Sequence, residues 1–108
     1  MGRWSRLLAG EVLAWLDPLP GLRWLDVGCG TGALSEAVLG GVAPLSLLGV
    51  DTSAAYLAAA RERLDDRRAT FSAGEATALP VPGSSVDQVV SALVLPLYWF
   101  LNRKETEQ

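Results

Sequence analysis

Four acidic or small residues stand where apolar runs end, and their types suit the capture of a charged nucleoside. Asp26 closes the run 22–27 and is followed at once by GCGTG at 28–32. Asp51 ends the run 45–50, Glu75 follows 69–72, and Ser91 lies within 86–95. Glycines allow a sharp turn and a close approach of ligand to backbone, because no Cβ intervenes. The helix that follows such a turn presents free N–H groups.

The segment Gly28-Cys29-Gly30-Thr31-Gly32-Ala33 also satisfies the dinucleotide pattern G-x-G-x-x-A, so the loop alone does not name its ligand. Asp26 favours one reading. A pyrophosphate wants N–H donors, not a carboxylate two residues upstream of the loop, whereas an ammonium or sulfonium group gains from that acid. S-adenosyl-L-methionine has both groups, and its own carboxylate can use the loop amides. An NAD-binding module, or a turn with a merely structural acid, are the alternatives. Asp51, 19 residues after Gly32, suits the two ribose hydroxyls of an adenosine, with Thr52 against the adenine. Glu75 could accept from the adenine amino group and the Ala76 N–H donate to a ring nitrogen. Ser91 reads equally as a small core residue. Cys29 reads as a small side chain packed into the turn.

These residues need a scaffold that brings strand ends to one rim. Helical spacing covers 4–17, with Leu8, Val12, Trp15 and Leu16 on one face. Strands are expected at 22–27, 45–50, 69–72 and 86–95, the last covered on both faces because it is apolar nearly throughout. Helices are expected at 33–39, closed by Gly40-Gly41, and after Ser53, whose hydroxyl can cap a helix with Leu57, Ala60 and Leu64 on its buried face. The stretch 78–85, with two prolines and a glycine, reads as a loop. Strands alternating with helices indicate an α/β, Rossmann-like parallel sheet built from right-handed crossovers. Ligands in such sheets sit beyond the carboxyl ends of the strands.

Composition narrows the classes further. The 108 residues suffice for one domain, and half of them are apolar. A net charge of −3 gives no electrostatic footprint for nucleic acid, and the eight arginines and one lysine are scattered. The chain has no histidine, which removes the commonest general base and the usual zinc sites. One cysteine forms no intrachain disulfide and suits a reducing compartment. The longest nearly apolar stretch, 89–101, is 13 residues, too short to span a bilayer. The expectation is a soluble, cytoplasmic protein without a bound metal.

LDVGCGTG at 25–32, GVDTS at 49–53, GEATALPVPGSSVD at 74–87 and VVSALVL at 89–95 together resemble the class I S-adenosylmethionine-dependent methyltransferases, in the small-molecule branch that includes ubiquinone and menaquinone biosynthesis enzymes. The resemblance implies strand order 3-2-1-4, cofactor contacts at Asp26, Gly28, Gly30, Asp51, Glu75, Ala76 and Ser91, and methyl transfer to a small molecule by direct displacement. It names no catalytic residue. Glu75 stands where the family more often has Asp. The family continues past this point into a seven-stranded sheet, whereas this chain runs PLYWFLNRKETEQ and stops. The expectation is a single partial domain: helix and linker at 1–21, cofactor core at 22–95 and a divergent tail at 96–108. A non-catalytic, cofactor-binding remnant is the competing reading. The fourth strand would then form an edge open to a second copy or a partner chain.

Overall fold

The computed structural model describes the backbone of residues 3–75 and 86–91 and, from residue 9 onward, their side chains. Its elements run α1 (Arg3–Leu16), β1 (Arg23–Val27), α2 (Ala33–Gly41), β2 (Ser46–Asp51), α3 (Ala54–Arg63), β3 (Ala69–Ala73) and β4 (Gln88–Ser91). The strands form one parallel sheet in the order β3-β2-β1-β4, as expected. The fourth strand is described only over 88–91, so the expected continuation to 95 lies outside the described residues, as does the loop at 78–85.

Register assigns the side chains to faces. Trp24 pairs with Leu47 on one side and Gln88 on the other, and Asp26 pairs with Gly49 and Val90. Paired residues share a face and alternate residues return to it. Trp24, Leu47 and Val90 therefore point together, into a core filled by Ala9, Val12 and Leu13 of α1 and Leu34 and Val38 of α2. Farther along the same face, Phe71 meets Leu57 and Ala60 of α3 and the side chain of Cys29. The three helices of the described residues thus cover the face that carries Asp26.

Several local expectations are corrected. Val89, expected to be covered on both sides, is 55% exposed on the opposite face from the helices. In α1 the buried stripe is Ala9, Val12 and Leu13, while Trp15 points outward at 67% exposure. Helix α2 continues through Gly40 and Gly41, where the Val42 N–H still bonds the Val38 carbonyl. Glycine costs a helix about 1 kcal/mol without forbidding it. The Ser53 cap forms as expected, its hydroxyl accepting from the Tyr56 N–H at 3.2 Å. Among the described residues no helix is long and apolar enough to cross a membrane.

At the amino end of the sheet, Arg23 opens β1 and clasps Asp87 through its backbone N–H (2.8 Å), Nε (3.0 Å) and Nη2 (3.1 Å). The Asp87 N–H returns a bond to the Arg23 carbonyl at 2.8 Å. This clasp sets the register in which β4 enters beside β1.

Candidate cofactor site

The turn after β1 is shaped by three left-handed glycines, Gly28 (φ 69°), Gly30 (φ 56°) and Gly32 (φ 97°). A side chain at Gly32 would be strained in backbone and would also meet Leu64, 2.7 Å from an ideal Cβ. The loop is sewn to β2 by its own amides: the N–H groups of Gly28 and Cys29 both donate to the Val50 carbonyl, at 2.8 and 2.9 Å. Gly30 N–H donates to Asp51 Oδ2 at 2.9 Å, and the Gly32 N–H to the Cys29 carbonyl at 3.0 Å. These four amides therefore shape the loop, and the expectation that they face a ligand carboxylate is corrected on that point.

Asp51 closes β2 and bridges two segments. Its Oδ1 accepts from the Ser53 N–H at 2.9 Å while Oδ2 holds Gly30. A carboxylate has about four lone-pair sites, so each oxygen keeps acceptor capacity after these bonds. The side chain is half-buried, with Thr52 beside it exposed. Glu75, two residues beyond β3, is exposed. Ser91 ends the described part of β4 opposite Val27 and is half-buried. The sheet thus delivers Asp26, Asp51, Glu75 and Ser91 to strand ends on one side, with Gly28 and Gly30 between β1 and β2. Ala76 lies outside the described residues.

Asp26 has the most unusual environment. It is fully buried, and its Oδ2 accepts from the Ser35 hydroxyl at 2.6 Å. Its Oδ1 has no hydrogen-bond partner. Burial pushes this carboxyl up to about 6; the Ser35 hydroxyl and backbone amide oppose the rise, and the Asp51 charge adds to it. Ser35 was not singled out from sequence. The available signal was a hydroxyl in the first turn of the helix that follows a buried acid.

Cys29 is buried too, and burial, followed by the charges of Asp26 and Asp51, pushes its thiol up to about 12. A thiol held neutral is a packing group and not a nucleophile. Arg63 links the far wall, its guanidinium bonding Glu36 of α2 and donating to the Thr31 carbonyl at 3.3 Å. Two clefts of about 240 Å³ lie elsewhere, one between α1 and α2 and one where α3 meets β3; neither touches Asp26 or Asp51. Among the described residues no three His, Cys, Asp or Glu side chains gather as a metal site.

Burial leaves Asp26 Oδ1 without a hydrogen-bond partner in the chain. Buried polar atoms are overwhelmingly paired, so this carboxylate oxygen stands out among the described residues. An ammonium group, or a water bridging to one, is the kind of donor such an oxygen accepts. A phosphate is not.

The chain has relatives among known proteins. Residues 25–107 match the family model described as a methyltransferase domain. The chain is 34% identical over 84 residues to a trans-aconitate 2-methyltransferase of Delftia acidovorans, covering 78% of this chain and 31% of that protein. Among solved structures, an S-adenosylmethionine-dependent methyltransferase from Mesorhizobium loti aligns at 30% identity and TM-score 0.66, over 75% of this chain and 38% of that one. The [4+2]-cyclase SpnF aligns at 33% identity and TM-score 0.68, over 78% of this chain and 32% of that one. The chain therefore spans about a third of the length of these relatives.

Proposed function

We propose, from the premise that this chain belongs to the class I S-adenosylmethionine-dependent methyltransferases, that it binds S-adenosyl-L-methionine at the rim formed by Asp26, Gly28, Gly30, Asp51, Thr52, Glu75, Ala76 and Ser91 and serves methyl transfer to a small molecule. The observation that carries the binding half is the unmet Oδ1 of Asp26 in a fully buried position beside the glycine turn.

The bound cofactor would supply an electrophilic methyl group on a sulfonium sulfur. The residues of the chain bind and orient. Asp26 attracts the cationic end, and its negative charge disfavours a phosphate there. Asp51 keeps acceptor capacity for ribose hydroxyls while its two backbone bonds hold it still. Gly28 and Gly30 leave room for close approach of the ligand to the turn. Displacement at a sulfonium gains chiefly from alignment of acceptor and methyl group, so a chain without histidine is no obstacle to it.

Calorimetric titration with S-adenosylhomocysteine tests the reading. One-to-one binding is expected, weakened by at least about tenfold in Asp26→Asn, because a charged hydrogen bond is lost. No heat at millimolar ligand sinks it. NADH binding without a response to S-adenosylhomocysteine would restore the dinucleotide reading. A second reading is cofactor binding without methyl transfer, since one structure of similar fold is named a [4+2]-cyclase and not a methyltransferase. Transfer of label from methyl-labelled cofactor to a small-molecule acceptor separates the two.

A further inference from the structure

We infer that Ser35 is a positioning residue for the cofactor: its hydroxyl holds one oxygen of Asp26, so that the other is the single acceptor offered to the ligand's cationic group. The inference rests on the proposed role of Asp26. Its ground is geometric. Ser35 sits in the first turn of α2, fully buried, and its Oγ donates to Asp26 Oδ2 at 2.6 Å while Oδ1 has no partner. A carboxylate with two free oxygens could rotate and present either. With Oδ2 fixed, its orientation is set before the ligand arrives, and less freedom is lost on binding.

The same bond governs charge. Hydrogen bonding to the ionised form favours that form, whereas burial disfavours it. Among the described residues the groups facing Asp26 are few. The loop brings the neutral Cys29 thiol, β2 brings Asp51 at its end, and β4 brings only the apolar Val90 in register. No cation among these stabilises the carboxylate, so among the described residues Ser35 is the counterweight to burial. A ligand ammonium binds the ionised acid, and any proton on Asp26 leaves to solvent as it binds. Affinity therefore falls as pH drops through the titration of Asp26. Without the Ser35 hydroxyl that titration moves to higher pH.

The test is S-adenosylhomocysteine titration of the full chain from pH 5.5 to 8.5 for wild type, Ser35→Ala, Ser35→Thr and Asp26→Asn. The aspartate carboxyl ¹³C resonances of the ligand-free chains are followed over the same range. Ser35→Ala is expected to lose roughly tenfold more affinity at pH 6 than at pH 8, with the Asp26 resonance titrating at higher pH than in wild type. Ser35→Thr keeps the wild-type profile. A loss uniform across pH, an unmoved Asp26 titration in Ser35→Ala, or a Ser35→Thr chain that behaves as Ser35→Ala overturns the inference, even when Asp26→Asn weakens binding. An Asp26→Asn chain with the wild-type affinity and pH profile removes the role of Asp26 itself, and the inference with it.

Discussion

Two aspartates beside β1 have opposite fates. Asp87, at the amino end of the sheet, is exposed and clasped by Arg23, and the hydrogen bonds and charge of that guanidinium hold its carboxyl down at about 2. Asp26, near the carboxyl end of the same strand, is fully buried and stands at about 6 because of that burial. At the first, the chain satisfies its own acid with three hydrogen bonds from Arg23. At the second, only Ser35 serves the carboxyl, and Oδ1 is left without a partner. The contrast is between an acid the chain satisfies and one it leaves partly unmet, and the proposed cofactor role rests on the second.

The largest effect should come from disturbing the packing beside Asp26. Its register partner Gly49 has no side chain because Phe71 and Cys29 already occupy that space. An ideal Cβ there lies 2.6 Å from Phe71 Cδ1 and 3.1 Å from Cys29 Sγ. Gly49→Ala is expected to cost about 2 to 3 kcal/mol by overpacking. Gly40→Ala has the opposite sign. Nothing lies within 4 Å of a Cβ at Gly40, an exposed position of α2, so it should gain about 0.5 to 1 kcal/mol. Denaturant unfolding of both variants checks the pair, and equal effects would contradict the packing described for the rim.

Asp26→Asn sharpens the contrast through pH. A folded carboxyl at about 6 against an unfolded value near 3.8 means that the folded chain holds more protons between them. Stability therefore falls as pH rises from about 4 to about 6, and the deficit persists above. Removing the charge should raise stability by about 1 to 3 kcal/mol at pH 7.5 and by little at pH 4. The same substitution should weaken cofactor binding, so stability and binding would move in opposite directions. A variant less stable than wild type at pH 7.5 would show that Asp26 is a structural acid after all.

The sheet and its rim were legible for a physical reason. Short apolar runs that end in an acid or a glycine have few other uses in an alternating α/β chain, and β1, β2 and β3 fall within a residue or so of the expected bounds. Side-chain direction was less legible. Trp15 fits the spacing of a buried helical face, yet it is Leu13 that turns inward, because spacing admits neighbouring stripes and the packing of α1 selects one. Val89 reads as core by hydropathy alone, although only the Val90 side of β4 faces helices among the described residues. Ser35 was invisible as a partner of Asp26, since a nine-residue separation encodes no contact until the glycine turn folds α2 back over β1.

Asp87→Asn should give the smallest effect, and its sign in pH should be the reverse of that at Asp26. Asp87 is held low by Arg23, so its contribution is present above pH 4 and fades as pH falls from about 4 to about 2. The pair is solvent-exposed, where screening and side-chain entropy leave little of an ion pair's attraction. The loss should be no more than roughly one to two degrees in Tm at pH 7, vanishing near pH 2 and shrinking in molar salt. Because the clasp also orders the entry of β4 beside β1, amide exchange at 88–91 should quicken in the variant while β2 and β3 are unchanged. A Tm loss as large as that of Gly49→Ala would mean that the base of the sheet, and not the packing beside Asp26, holds the four strands together.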